Sequence, residues 1–333
     1  MTDTALKAPA TPGTGRGSLR SLLLRRLFTG VLVLLAVSAI VFVATDAAPG
    51  DAAAASLGPD ADPAQVAARR AELGLDRPAL VRYGDWLLTV LHGDLGTSYV
   101  SGSPVADLVG DRAGNSLVLA GVTLALLVPL AVGLGVWAGL RSGGLADRLI
   151  SAATLTLLAV PEFVMGSVLV LVLAVELDLL PAVSLIRPGQ GLLSRPEVLV
   201  LPVATLLAGC LAHNARLVRS GVVEVAGGDA VATARLNGVP EHRVVLRYVL
   251  PAALPPVIPL LARYLSLLVG GALVAETLFG FPGIASVLIQ ASAGRDVPTV
   301  QAVALLIALV TVVANLLGDV LGMALDHSRR IVL

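Results

Sequence analysis

The sequence predicts an all-α polytopic membrane protein, with six transmembrane helices and both termini on the cytoplasmic side. Three observations predict it. Hydrophobic residues make up 56% of the chain and charged residues only 14%, where a soluble domain is about a quarter charged. Apolar runs of roughly 20 residues, the length that crosses a hydrocarbon core of about 30 Å, recur along the chain. The arginines between those runs concentrate in alternate connections, as orientation by positive charge requires.

Residues 1–18 are rich in Gly, Pro, Thr and Ala and are expected to be disordered. Arg20, Arg25 and Arg26 then precede an apolar run at about 27–45. A cleaved signal peptide would carry an apolar region of only about 7–15 residues. No clean A-x-A site follows, so an uncleaved first span over 19–45 is the favoured reading. Residues 46–113 form a polar insertion with ten acids and five arginines. Within it, "DPAQVAARRAELG" has Asp62 as a helix N-cap, Pro63 at the first helical position, Gln65 completing a capping box and Gly74 as a stop. "RPALVRYGDWLLTVLHGDLG" predicts a second short amphipathic helix, with Leu80, Val81, Leu87, Leu88 and Leu91 at near-helical spacing. Both are expected to pack on the outer surface of the membrane domain.

Further apolar runs at about 115–140, 150–175, 198–215, 256–279 and 299–325 bring the spans to six. They form a core over 114–326, followed by a tail at 327–333. The connection 141–148 ("RSGGLADR") is short and basic, and 212–255 holds Arg216, Arg219, Arg235, Arg243 and Arg247 against three acids. These two connections, the amino-terminal arginines and Arg329/Arg330 belong in the cytoplasm on the orientation rule. Six spans satisfy all four placements and put the 46–113 insertion outside.

Composition also excludes functions. Formal net charge is zero, so no basic footprint points to nucleic acid. Cys210 is the only cysteine, which rules out an internal disulfide and a cysteine-based metal cluster. His92, His213, His242 and His327 show no ligand spacing, so no metal site is expected. Lys7 is the only lysine, against 22 arginines, and no glycine-rich turn precedes it. A P-loop needs that lysine to reach the phosphates, so this chain is not expected to carry such an ATP site. No span shows a catalytic arrangement such as H-E-x-x-H, and no catalytic residue is expected.

The charged segment 216–255 reads as two short helices around a tight turn. The first runs to about Leu236, and Asn237-Gly238 supplies a positive-φ stop. Pro240 fits the first position of a new helix, with Glu241 near its positive end. Val244, Val245, Tyr248 and Val249 make its apolar stripe, beside Arg243 and Arg247, and Leu250-Pro251 ends it. Such helices present a rigid, partly charged knob on the cytoplasmic face or lie as an amphipathic anchor among headgroups.

This segment resembles a known family. The spacing Ala232-Thr233-Ala234-x-x-x-Gly238, nine residues, then Tyr248-x-Leu250-Pro251 is similar to the cytoplasmic EAA loop of bacterial ABC importer permeases. "DAVATARLNGVPEHRVVLRYVLPAALPPVI" resembles the dipeptide/oligopeptide/nickel branch of that family. So do, in order, "APGD" at 48–51, "LGLDRPALVRYGDWL" at 73–87, "GDLGTSY" at 93–99, "SGGLADR" at 142–148, "PEFVMG" at 161–166, "AETLFGFPG" at 275–283 and "NLLGD" at 315–319. The chain departs from the branch pattern at Ala230, Ala232 and Asn237. Gly227 and Gly228 also replace residues that favour helix, at about 1 kcal/mol each inside one.

The resemblance implies type I ABC importer permease architecture in a bacterial cytoplasmic membrane, importing di- or oligopeptides, or alternatively nickel or another small solute. It implies a paralogous permease partner, two cytoplasmic ATPase subunits that carry the ATP and Mg, an extracytoplasmic solute-binding protein, and no cofactor on this chain. The loop residues it points to are Asp229, Ala232, Thr233, Ala234, Arg235, Gly238, Glu241, Arg243, Arg247, Leu250 and Pro251.

Polar groups inside spans cost roughly 2.5–3.5 kcal/mol each when charged and therefore need a reason. Glu162 follows Pro161 at an expected kink. Arg263 lies near the cytoplasmic end of the fifth span, Glu276 at its other end, and Asn315 pairs with Asp319 at i, i+4 on the sixth. Glu162, Arg263, Glu276 and Asn315 are candidates to line a pathway. The alternatives are capping for Glu276, snorkelling for Arg263, and helix–helix hydrogen bonding for Asn315 and Asp319. A self-contained secondary transporter would instead show inverted repeats and embedded coupling carboxylates; no repeat is present, and only Glu162 and Glu276 could serve.

Overall fold

Apolar runs in a hydrocarbon phase must satisfy every backbone N–H and C=O internally, which a helix does. The computed structural model describes residues 19–58, 60–185, 192–255, 257, 264 and 272–329. Among them there is no β-strand, only an isolated bridge between Thr97 and Pro104. Among the described residues, four helices are long and apolar enough to cross a membrane: α1 (Leu19–Ala47), α5 (Val105–Leu140), α8 (Glu197–Ala226) and α13 (Val297–Arg329). A fifth candidate is a broken pair, α6 (Leu145–Ala159) and α7 (Glu162–Leu169, continuing in π register over Val170–Glu176), bent by 105°. The break is the one expected at Pro161. Val160 is forced into extended backbone (ψ 123) by the following proline, and α7 restarts beyond it. The expected fifth span at 256–279 lies largely outside the described residues, which retain its helical end at 272–278.

The helices meet where side chains are small. On α5, Gly135 and Gly139 stand one turn apart against α8: a Cβ on Gly135 would come within 2.7 Å of Val218 and the Ala215 carbonyl, and one on Gly139 within 2.8 Å of Val222. This close approach gives helices packing contact that lipid cannot supply. Gly30 of α1 similarly receives Val312 of α13, and Arg26 pairs with Asp319 across the same helices at 3.0 Å. The Asp319 side chain is therefore held between helices, as its position on the span suggested.

The insertion is built from α2 (Ala52–Leu57), α3 (Pro63–Glu72) and α4 (Ala79–Leu91). The capping box on α3 forms: Asp62 accepts from the Ala64 N–H, Gln65 accepts from the Asp62 N–H, and Gly74 takes φ +65. Asp76, and then Asp51, hold the Arg70 guanidinium above its ordinary range and tie α3 to its flanks. On α4 the packing face differs from the expected leucine stripe. Tyr83 packs edge-on to Phe42 of α1 at 5.2 Å and shares a 2.8 Å hydrogen bond with Ser38, whereas Leu80 is 85% exposed and Leu91 73%. Aromatic area and a polar handle outweigh leucine count at this contact. Asp296, which precedes α13, fastens the insertion by accepting from Ser98 Oγ (2.5 Å), Tyr99 N (2.9 Å) and Thr299 Oγ1 (2.7 Å).

Candidate functional site

Helix α8 runs straight through 216–226, so the first helix of the charged segment is shorter than predicted. The break falls at Gly227 and Gly228. They are the C-cap of α8 and the N-cap of α9 (Asp229–Leu236). The expected penalty for glycine inside a helix therefore does not arise: both glycines sit at helix ends, where such residues are suited. Asp229 occupies the first turn of α9, favourably against the helix dipole.

Beyond α9 the chain reverses at Gly238, with φ +73, and Asn237 stays at φ −78. A Cβ on Gly238 would meet nothing within 4 Å, so this position needs glycine for its backbone alone. Pro240 is the N-cap of the next helix rather than its first residue (ψ 144). That helix comprises α10 (Glu241–Val244), a π-register stretch (Val245–Val249) and α11 (Leu250–Ala253). Leu250-Pro251 does not end it. The wider turn just upstream relieves the clash of the Pro251 ring with the carbonyl four residues back.

The π register also changes which side chains face inward. Val244 and Val249, five apart, are fully buried, while Tyr248 is 40% exposed. Together with Val231 and Ala234 of α9, they pack on Val218 and Val222 of α8 and Leu127 and Ala131 of α5. The elbow of α9, α10 and α11 is thus mounted on the α5–α8 core. Across its turn Arg235 donates to both oxygens of Glu241, at 3.1 and 2.6 Å, which fixes the hairpin though the pair is exposed. The Arg235 guanidinium holds the Glu241 carboxyl below its usual range.

Of the loop residues singled out in the sequence, Asp229, Ala232, Thr233, Arg235, Gly238, Glu241, Arg243, Arg247 and Pro251 lie on the elbow's outer surface. Ala234 is buried against the core and Leu250 is half-buried. Leu236 (88% exposed) and Leu246 (62%) join that surface. Exposed leucines and arginines therefore share one surface of the elbow.

The span candidates are not brought together with the elbow. Glu162 stands in the first turn of α7, half-buried, with Oε1 enclosed and unpartnered. Glu276 is 1% exposed. Its carboxylate accepts from the Ser116 hydroxyl and, at 2.8 Å, from the Ala285 N–H in the first turn of α12 (Ile284–Ala293). Gly283 leaves the space that carboxylate fills. Glu276 is a capping group in this arrangement. Asn315 is partly buried on α13, and Arg263 lies outside the described residues. No group of three or more His, Cys, Asp or Glu among the described residues could hold a metal ion.

Sequence reading missed the pair between Asp147 of α6 and Arg219 of α8, whose fork closes over both carboxylate oxygens. Its only local signal is an acid in the first helical turn after a glycine pair.

Two descriptions match the chain: binding-protein-dependent transport system inner membrane component over residues 131–331, and the N-terminal membrane component of such systems over 19–120. A probable peptide ABC transporter permease of Sinorhizobium fredii is 33% identical over 308 residues, 92% of this chain and 98% of that protein. The glutathione transport system permease GsiC of Salmonella typhimurium is 34% identical over 307 residues, 92% and 98% of the two chains. A putative peptide transport system permease of Brucella abortus is 32% identical over 93% of this chain and 99% of its own. The fold is similar to that of the inward-facing MetNI methionine ABC transporter, with a TM-score of 0.55 and 18% identity over 66% of this chain and 96% of that one. Carrying the family's sequence pattern over nearly its whole length, the chain belongs to the inner membrane components of binding-protein-dependent transport systems.

Proposed function

We propose that the chain is the non-catalytic permease of an ATP-driven peptide importer, in which it forms half of the translocation path. The observation that carries this reading is the elbow: an apolar-and-arginine surface mounted on the α5–α8 core, on a chain with no nucleotide-binding lysine. In this reading six spans place both termini and the elbow in the cytoplasm. Two ATPase subunits hold ATP and Mg, and each receives one elbow. A paralogous permease supplies the second half of the path, and a solute-binding protein delivers cargo to the outer face, near the insertion. Asp229, Ala232, Thr233, Arg235, Gly238, Glu241, Arg243 and Arg247 form the docking surface, with Ala234, Leu250 and Pro251 setting its shape. Peptides, including small ones such as glutathione, are the cargo that relatives of this similarity are named for. Glu162, with a carboxylate oxygen enclosed in a span and unpartnered, is the proposed path-lining group.

Closure of the ATPases would draw two elbows together and rock the spans between inward- and outward-open states. Gly238→Val tests the reading. A β-branched residue at φ +73 costs about 1–2 kcal/mol or more and distorts the turn without touching a neighbour. Uptake by the reconstituted complex should fall while the chain remains inserted and hydrolysis continues. Unchanged uptake per ATP would refute the assignment of the elbow.

A further inference from the structure

Helix α6 buries only two of its side chains, and both are polar. They are Asp147 and Thr154, and the Thr154 hydroxyl is turned onto its own helix, donating to the Ser151 carbonyl. Four of its five leucines are exposed, Leu145 by 74%, Leu149 by 61% and Leu155 by 52% among them, and Leu157 is partly buried. What fastens the first turn of α6 to the rest of the chain is therefore the Asp147 carboxylate, itself 5% exposed. Arg219 Nε donates to Oδ1, and Nη2 donates to Oδ2 at 2.8 Å. The Gly143 N–H adds a 2.8 Å bond to Oδ2 and closes the α5–α6 turn.

Arg219 stands in the segment of α8 that carries the elbow. One residue before it Val218, and three after it Val222, pack against Gly135 and Gly139 of α5 and against the buried valines of α9 and α10. Gly221 lets the Ala253 carbonyl of α11 approach, since a Cβ there would lie 3.1 Å from it. The same two turns of α8 thus hold the elbow on one side and α6 on another. Beyond α6 come the 105° bend at Pro161 and Glu162. Apolar helix faces slide past one another, whereas a planar fork on both oxygens fixes register.

We propose that Asp147 and Arg219 are positioning residues, whose ion pair passes displacement of the elbow into α6 and the bent span. The inference rests on the function proposed above, and its test separates the two. The complex with its partner permease and ATPases is reconstituted in proteoliposomes, with radiolabelled trialanine and glutathione as probes. Spin labels at Ser220→Cys on α8 and Leu149→Cys on α6, in a Cys210→Ala background, report the separation of the two helices. With the native pair that separation stays constant when ATP and vanadate trap the ATPases. In Asp147→Asn it changes by on the order of 1–2 Å or more, and uptake per ATP falls on the order of tenfold while hydrolysis persists. Arg219→Lys, which keeps charge but not the fork, gives an intermediate loss, and the exchange of Asp147→Arg with Arg219→Asp recovers uptake.

A constant label distance with native uptake per ATP in Asp147→Asn overturns the inference. So does parallel loss of inserted protein, hydrolysis and uptake in every variant, which would make the pair structural only. An unmodified complex that shows no ATP-driven uptake of either probe and no nucleotide-dependent hydrolysis overturns the underlying reading, and the inference with it.

Discussion

Replacing Gly283 with alanine tests whether Glu276 is a structural cap. The backbone there (φ −109, ψ −171) accepts any residue, so alanine adds no conformational strain. Its methyl, however, would lie 2.2 Å from the Glu276 carboxyl carbon and 2.3 Å from both carboxylate oxygens. The carboxylate must leave, and it loses the Ser116 hydroxyl and the Ala285 N–H. Hydrogen bonds to a charged group are worth about 1.5–3 kcal/mol each, so two bonds predict a loss of about 3–6 kcal/mol. Glu276→Ala alone should also destabilise, because it leaves two buried donors unpaired. Once the carboxylate is gone, though, the methyl has room. Chemical unfolding in mixed micelles should therefore show the double variant little worse than Glu276→Ala, with a coupling close to the whole Gly283→Ala penalty. Losses that simply add, within about 0.5 kcal/mol, would refute the cap.

Other predictions follow from the same packing and charge. Gly139→Leu must push Val222 away and should weaken the α5–α8 contact by about 1–3 kcal/mol, seen as a lower unfolding midpoint; an unchanged midpoint would mean the helices do not approach as described. The Glu241 carboxyl, held down by Arg235, has a folded value below its unfolded one. Its contribution to the turn is full above the ordinary glutamate range and is lost as pH falls through the depressed value. Hydrogen exchange across 236–241, corrected for intrinsic rates, should keep constant protection from neutral pH down through the ordinary glutamate range and lose it only below that range. Loss beginning near neutrality would contradict the pairing.

What was legible in the sequence was local. The capping box at Asp62 and the bend at Pro161 depend on residues within a few positions of each other, and the structure forms both. The turn at Gly238 was legible for the same reason, although the positive φ belongs to the glycine alone. Three features needed tertiary partners. The π register that buries Val244 with Val249 cannot be read from a 3.6-residue stripe, because the cause is Pro251 downstream together with the core beneath. The α4 leucines made a convincing stripe, yet Tyr83 won the contact because Phe42 and Ser38 await it on α1. Asp147 and Arg219 are 72 positions apart, and charge counting placed both on one side of the membrane without joining them.

Isolating the tagged chain from its native membrane, and assaying ATP hydrolysis by the chain alone and by the complex it brings with it, tests the role of the elbow. The expected result is a complex containing a second permease and ATPase subunits that hydrolyses ATP, and no hydrolysis once those subunits are removed. Hydrolysis by the isolated chain, or ATP-independent peptide uptake by it, would rule out a docking role for the elbow.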